Sequence, residues 1–371
     1  MRVAFLQSSL GIGGAERLVQ TIVGGLDRAR FEPLAVNLYE PGPVGDQLAA
    51  AGLTVVSGLA RSRWDPRAGR RLAAALRDLQ ADVVYVADSA LPLFWAGRLR
   101  RAAPRPRLVV GFHSTGKAAA RLQHALAGAA ALPVADHFVA LAPSHRDFLV
   151  RRFRLAPERF TVIANGVDTA RCHPAGDRGA ARRSLGWPAD APVVSIIAAL
   201  RPEKNHRLFL RAAAAVAARR PEARFVVVGD GPGRAALERQ ARSLGLGGEI
   251  AFLGARHDTP EIQRASDVAV LCSLPVVETF PVALVEALAS GTPVVSTDVG
   301  SIRDIVTPEA TGLLVPSGDA GALAAAIESL LADPARRARM GAAARADALA
   351  RLTRERMIAD YERLFLEVGS G

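Results

Sequence analysis

The stretch Leu271 to Val306, LCSLPVVETFPVALVEALASGTPVVSTDVGSIRDIV, decides how the rest of the chain is read. It continues the buried-strand run Val268 to Leu271 and breaks at Pro275. A helix should open near Pro281, because proline is preorganised for a first helical turn and lacks only an amide that would go unpaired there. Thr279, two residues ahead, is the expected cap. Ser290-Gly291 closes the helix, Pro293 prevents its continuation, and Thr292 to Thr297 reads as the next buried strand. The unit is therefore strand, loop, helix, strand. Glu278 falls in the loop and Glu286 about one and a half turns inside the helix. The free amides and dipole of such a helix end suit an anion such as a diphosphate. Carboxylates do not bind phosphate, but they accept hydrogen bonds from hydroxyls, which a nucleotide sugar carries on both sides of its diphosphate. The plainer reading is two ordinary acids at a helix start.

At 371 residues the chain exceeds one core of usual size and implies two domains. Half of the residues are apolar and strands recur between helical stretches, which excludes disordered and fibrous classes. Two cysteines, Cys172 and Cys272, without a CxxC pair or a recognisable leader, point to a reducing, cytoplasmic setting. No apolar run reaches the roughly 18 residues of a membrane span.

The net charge of +11 is uneven: residues 1–170 hold 22 Lys/Arg against 13 Asp/Glu. The excess gathers at Arg61, Arg63, Arg67, Arg70 and Arg71, at Arg98, Arg100, Arg101, Arg105 and Arg107, and at Arg146, Arg151, Arg152 and Arg154. Such faces suit an anionic membrane surface or an anionic substrate; no nucleic acid is expected. The plainer alternative is solvated helix faces in a chain that has replaced lysine by arginine. Only Lys117 and Lys204 remain.

Strands are expected near 3–8, 34–39, 53–56, 82–86, 108–112 and 137–141, then near 193–199, 224–228, 250–253, 268–271, 293–297 and 312–315, with helices between. That alternation implies parallel sheets covered on both faces, whose ligands gather at the carboxyl ends of the strands. At the first such end, Gly11-Ile12-Gly13-Gly14-Ala15-Glu16 resembles a dinucleotide fingerprint but has Glu16 where the third glycine belongs, so a loop approaching some other ligand is the better reading. Gly111-Phe112-His113-Ser114-Thr115-Gly116-Lys117-Ala118 has P-loop spacing, yet Ala118 stands where a hydroxyl must hold magnesium. His113 remains as a polar group at a strand end. Asn165-Gly166 marks the passage to a second domain. In the second half, Arg201 and Lys204 follow a strand and could neutralise a diphosphate, and Gly229-Asp230-Gly231-Pro232-Gly233 forms another strand-to-helix turn. The chain has no Asp-x-Asp pair, so charge neutralisation should fall to Lys204, Arg201 and the helix end rather than to a metal.

Taken together these residues resemble the retaining glycosyltransferases of family four. The resemblance rests on the Glu278 and Glu286 pair, on Arg-Pro-Glu-Lys-Asn at 201–205, Gly-Asp-Gly-Pro at 229–232, Asn-Gly-Val-Asp at 165–168, Gly-Gly-Ala-Glu-Arg at 13–17 and Gly-Leu-Leu-Val-Pro at 312–316. It implies an α/β protein of GT-B architecture, two Rossmann-like doubly wound domains facing each other across a cleft. The domains would be 1–170 for the acceptor and 171–350 for the nucleotide sugar, with 351–371 returning as a helix to brace the first. The implied enzyme is a hexosyltransferase, retaining and free of metal or other cofactor, with a nucleoside diphosphate sugar as donor and a carbohydrate or lipid-linked hydroxyl as acceptor. It would be cytoplasmic, docking peripherally on the inner face of the membrane. The same resemblance assigns Glu286 to the ribose, Glu278 and His113 to the donor sugar, Lys204 to the diphosphate, and Gly13 and Gly14 to a loop near the phosphates; Ala199 stands where many members have an arginine, and Arg201 is expected to supply that charge. Thr279, Phe280, Pro281, Asp230 and Arg256 complete the donor-binding set. Thr279 and Pro281 stand where many members have glycine, which bears on which sugar fits. A binding module without turnover and a P-loop triphosphatase are the alternatives.

Overall fold

The computed structural model describes residues 1–9, 14–62, 65–87, 90–103, 105–113, 122–275 and 278–370. The chain forms two compact units, Met1–Asn165 with Arg354–Gly371, and Gly166–Thr353.

The first unit is built on seven parallel strands, β1 (Arg2–Gln7), β2 (Glu32–Asn37), β3 (Thr54–Val56), β4 (Val83–Ala87), β5 (Arg107–Gly111), β6 (His137–Ala140) and β7 (Phe160–Val162). Their order is β3-β2-β1-β4-β5-β6-β7. Strands such as Val-Val-Tyr-Val-Ala in β4 are apolar at every position because helices cover both faces. Alternate residues divide between two cores. Val3, Phe5, Val83, Tyr85 and Val109 face one, and Ala4, Leu6, Val84, Val86 and Val110 face the other. The last helix, Arg354–Ser370, lays Met357, Ile358, Tyr361, Leu364 and Phe365 on the first of these faces, a spacing that fits one helical stripe. β7 is absent from the strands expected from sequence. It has three residues, all half-buried.

The second unit repeats the design with six parallel strands, β8 (Val193–Ile197), β9 (Arg224–Val228), β10 (Ile250–Phe252), β11 (Val268–Leu271), β12 (Val294–Thr297) and β13 (Gly312–Val315). They run in the order β10-β9-β8-β11-β12-β13. Both sheets are thus doubly wound, as expected. In the second, connections leave β8 toward one side and β11 toward the other, which opens a crevice above their carboxyl ends.

One carboxylate ties this unit together. Asp267 is nearly buried just before β11 and accepts from the Val193 amide at 2.8 Å. Arg182 meets it at 2.8 Å, Arg178 at 3.1 Å and Arg337 at 3.3 Å. It therefore links the edge of β8 to the helices Arg178–Ser184 and Pro334–Arg351. Asp267→Ala would leave three guanidinium groups and an amide without their acceptor. Urea denaturation of the intact chain should show a loss of about 3–5 kcal/mol; a loss within experimental scatter would mean that the arginines are held elsewhere.

Candidate functional site

The crevice above β8 and β11 holds the sequence-predicted acids and the surviving lysine. After β8 the chain runs through Ala198 to Leu200 into a short 3-10 turn, Pro202–Lys204. After β11 it runs through Cys272 and Ser273 toward the helix Val282–Ala289. The two loops are tied directly. The Leu274 amide donates to the Glu203 carbonyl at 2.9 Å, and the Cys272 thiol donates to the Asn205 carbonyl at 3.2 Å.

This arrangement brings Lys204 onto Glu278, 74 residues away in sequence, as a salt bridge between Nζ and Oε1. The Ser273 hydroxyl donates to the same oxygen at 2.5 Å. The Glu278 side chain is 4% exposed and that of Lys204 21%. Sequence reasoning assigned each residue separately to the donor; the structure pairs them with each other. Ser273 was not singled out, although it lies in the quoted stretch directly after β11. Oε2 of Glu278 accepts from no described residue and remains available. The loop depends on Gly300, at φ +57°, where a Cβ would fall 1.8 Å from the Glu278 carbonyl oxygen.

Glu286 lies on the helix that follows, half-buried, and its Oε2 accepts from the Thr259 hydroxyl at 3.0 Å. The N-terminus of that helix differs from expectation in detail. Pro281 is the N-cap, with an extended ψ of 116°, so the first helical residue is Val282. Thr279 therefore sits ahead of the cap position. Thr279 and Phe280 are both buried, so what this turn presents is backbone. The Leu284 and Val285 amides reach back to the Pro281 carbonyl, which leaves those of Val282 and Ala283 as the helix-end donors. The C-terminus is as expected. Gly291 has φ +69°, and the Gly291 and Thr292 amides return to the carbonyls of Leu288 and Ala287.

The remaining candidates are spread more widely. Arg201 opens the Pro202–Lys204 turn, exposed and without an ion-pair partner among the described residues. Asp230 accepts from the Gly231 amide of its own turn at 2.7 Å. The glycines around it serve the protein itself, because a Cβ at Gly229 would lie 2.0 Å from the Ala198 carbonyl oxygen and one at Gly231 2.8 Å from that of Leu200. Arg256 is exposed and paired with Asp258, which raises its pKa. Gly13 and the P-loop-like run from Ser114 to Ala118 lie outside the described residues, and Gly14 opens the first helix.

His113 belongs to the first unit, just beyond β5. Its Nε2 hydrogen-bonds the Tyr85 hydroxyl at 2.9 Å. Burial, reinforced by the neighbouring His145, lowers its pKa to about 4, so the ring is neutral at pH 7. Tyr85 gave no sign of this role in sequence, where it looks like one more apolar strand residue.

Comparison with known proteins agrees with this geometry. Chains of the same fold include the Anabaena protein Alr3699/HepE, solved in complex with UDP (TM-score 0.87, 24% identity, 99% of this chain and 100% of that one). They also include WaaG, described as a glycosyltransferase involved in lipopolysaccharide biosynthesis (TM-score 0.76, 16% identity, all of both chains). The architecture is that of the GT-B glycosyltransferases. Residues 12–171 match the model for Glycosyltransferase Family 4 and residues 177–347 the model for Glycosyl transferases group 1, and the chain belongs to this glycosyltransferase family. Among curated relatives, the D-inositol 3-phosphate glycosyltransferase of Rhodococcus opacus is 37% identical over 219 residues, 56% of this chain and 48% of that protein. The counterpart from Kineococcus radiotolerans is 38% identical over 229 residues, 57% of this chain and 52% of that protein. The chain thus spans about half the length of the curated relatives it matches.

The pairing of Lys204 with Glu278 has a measurable signature. Lys204→Met strands a buried carboxylate, whereas the double variant with Glu278→Gln strands no charge. Urea denaturation should show the single lysine variant destabilised by about 2–4 kcal/mol and the double variant by clearly less than the sum of the two singles. Additive losses would mean that the two side chains are not coupled.

Proposed function

We propose that the chain is a retaining glycosyltransferase that moves a sugar from a nucleoside diphosphate sugar to a hydroxyl acceptor without a metal. The observation that carries this reading is the crevice above β8 and β11, where a lysine, two carboxylates and a helix N-terminus converge on one strand-end edge. In this reading Glu286 holds the ribose diol and the free Oε2 of Glu278 accepts from a hydroxyl of the donor sugar. An ammonium has three N–H donors, so Lys204 can keep its bond to Glu278 and still meet a phosphate oxygen. As the bond to the sugar breaks, charge grows on the leaving diphosphate. Lys204, Arg201 and the amides of Val282 and Ala283 stabilise that charge. The acceptor hydroxyl attacks from the same face, its proton passing to the leaving phosphate. The first unit takes the acceptor. The UDP in the Anabaena complex supports a nucleotide donor.

For the acceptor we favour a lipid-linked glycan reached by docking on an anionic membrane surface. The exposed arginines of the first unit support it, although fewer than their number in sequence suggests. Arg100 and Arg107 both pair with Asp136, at 2.7 and 2.9 Å, and Arg71 with Asp65. Arg98, Arg101 and Arg105 are exposed. The named relatives support a second reading, a soluble phosphorylated polyol. No helix among the described residues is long and apolar enough to cross a membrane.

Glu286→Ala removes two charged hydrogen bonds to the ribose, partly replaced by water. Calorimetry with UDP-sugars should show donor affinity at least about tenfold weaker. Transfer by the unaltered chain should persist in excess EDTA. Affinity within twofold would remove Glu286 from the donor site, and a collapse restored by magnesium would overturn the metal-free mechanism.

Liposome sedimentation separates the two acceptor readings. Binding should require anionic lipid, weaken with salt and fall when Arg98, Arg101 and Arg105 are neutralised together. A chain that ignores anionic vesicles at low salt favours the soluble acceptor.

A further inference from the structure

Glu286 is held from a second helix. The Thr259 hydroxyl that donates to its Oε2 at 3.0 Å belongs to the helix Thr259–Ala265, which packs beside the helix Val282–Ala289. One turn further along, the Gln263 side-chain amide donates to the Ala283 carbonyl at 3.2 Å. Thr259 and Gln263 share one helix face, as do Glu286 and Ala283, so the two helices run in opposite directions along a single line of contact. The Gln263 side chain is buried, and the Gln263 carbonyl accepts from the Thr292 hydroxyl at 2.8 Å, just past the other end of the helix that carries Glu286.

The Thr259 hydroxyl had a nearer use. The position that would cap its own helix is Asp258, whose carboxylate is engaged by Arg256 at 2.7 Å, so this helix start has no side-chain cap. Thr259 does not make good that loss, because its hydroxyl bonds Glu286 and no other described residue. The loop ahead of it is tethered as well, by the Arg171 guanidinium on the His257 carbonyl at 3.2 Å. The hydroxyl therefore reaches the carboxylate from a fixed place.

We propose that Thr259 is a positioning residue of the donor site, whose hydroxyl fixes the rotamer of Glu286 so that the carboxylate meets a ribose diol already oriented. The inference rests on the reading of Glu286 as the ribose contact. A half-buried glutamate has several rotatable side-chain bonds, and any freedom it keeps before binding is lost on binding. The hydroxyl removes that freedom in advance. Thr259 acts through the carboxylate and needs no contact with substrate; what it sharpens is the demand for an intact diol.

The test is calorimetry of the full chain with UDP, ADP and GDP, and with the dideoxy form, which lacks the ribose diol, of whichever binds most tightly. Thr259→Val keeps the shape of the side chain and loses the hydroxyl; Thr259→Ser keeps the hydroxyl. With folding checked by urea denaturation, Thr259→Val should bind the ribose form about three- to tenfold more weakly, and Thr259→Ser should recover most of that loss. Toward the dideoxy form the unaltered chain and both variants should agree, because no diol remains for the carboxylate to meet. An equal loss with the dideoxy form means that the hydroxyl does not act through the ribose contact, and overturns the proposal. So does Thr259→Val binding the ribose form within twofold of the unaltered chain. Glu286→Ala isolates the underlying reading. If it leaves affinity for the ribose form within twofold, or if none of the three diphosphates binds, the donor reading falls and the proposal with it; if Glu286→Ala weakens binding and Thr259→Val does not, the positioning role alone falls.

Discussion

A carboxylate as buried as that of Glu278 stays charged only if its surroundings replace the water it has lost, and that constraint organises the second unit. A lysine and a serine hydroxyl do so at one oxygen. For the lysine to arrive, the loop after β8 must lie against the loop after β11, and the Leu274 amide and the Cys272 thiol fasten them. For the loop after β8 to hold its course, the next turn must pack on its backbone, which is why Gly229 and Gly231 admit no side chain. For the Glu278 backbone to take its place, Gly300 must lie beneath it. The Gly229 to Gly233 turn thus serves to hold the course of the loop that carries Lys204. The pair is poised for ligand all the same, since it leaves one carboxylate oxygen and two ammonium hydrogens uncommitted.

Much of the fold was legible in the sequence because a parallel strand covered on both faces is apolar at every position, and such runs stand out between amphipathic helices. Twelve of the thirteen strands could be found that way. β7, the short edge strand Phe160–Val162 with a polar residue at its centre, was not among them. The spacing of Glu278 and Glu286 was legible as well, since it belongs to one local unit. What escaped was anything made by residues distant in the chain. The bond from Lys204 to Glu278 spans 74 positions and that from Tyr85 to Tyr361 spans 276. Charge was over-read for the same reason. Arg100, Arg107 and Asp136 look like separate surface groups until the fold places them together, and an arginine committed to a half-buried aspartate adds little to a docking face.

The two units differ in how their cores are made. The second is one continuous stretch of chain, braced by Asp267 and its arginines. The first is interrupted, and the helix that completes one of its faces comes from residues beyond the whole of the second. Tyr361 and Phe365 on that helix bury the ring of Tyr85 and finish a core that β1 and β4 begin. In the second unit, the Asp267 cluster and the Glu278 pair lie at opposite ends of β11.

That interruption sets an order of events on the ribosome. When the second unit has left the exit tunnel it holds every residue of its own sheet and helices and can close. The first unit, synthesised earlier, still lacks the cover for Val3, Phe5 and Tyr85. Its open face must wait, at about 5–20 residues per second, for nearly two hundred further residues to be made. A nascent chain of this design carries one sheet face only partly covered, by the helix Gly14–Gly25, until the helix Arg354–Ser370 is made, so the first unit is completed after the second.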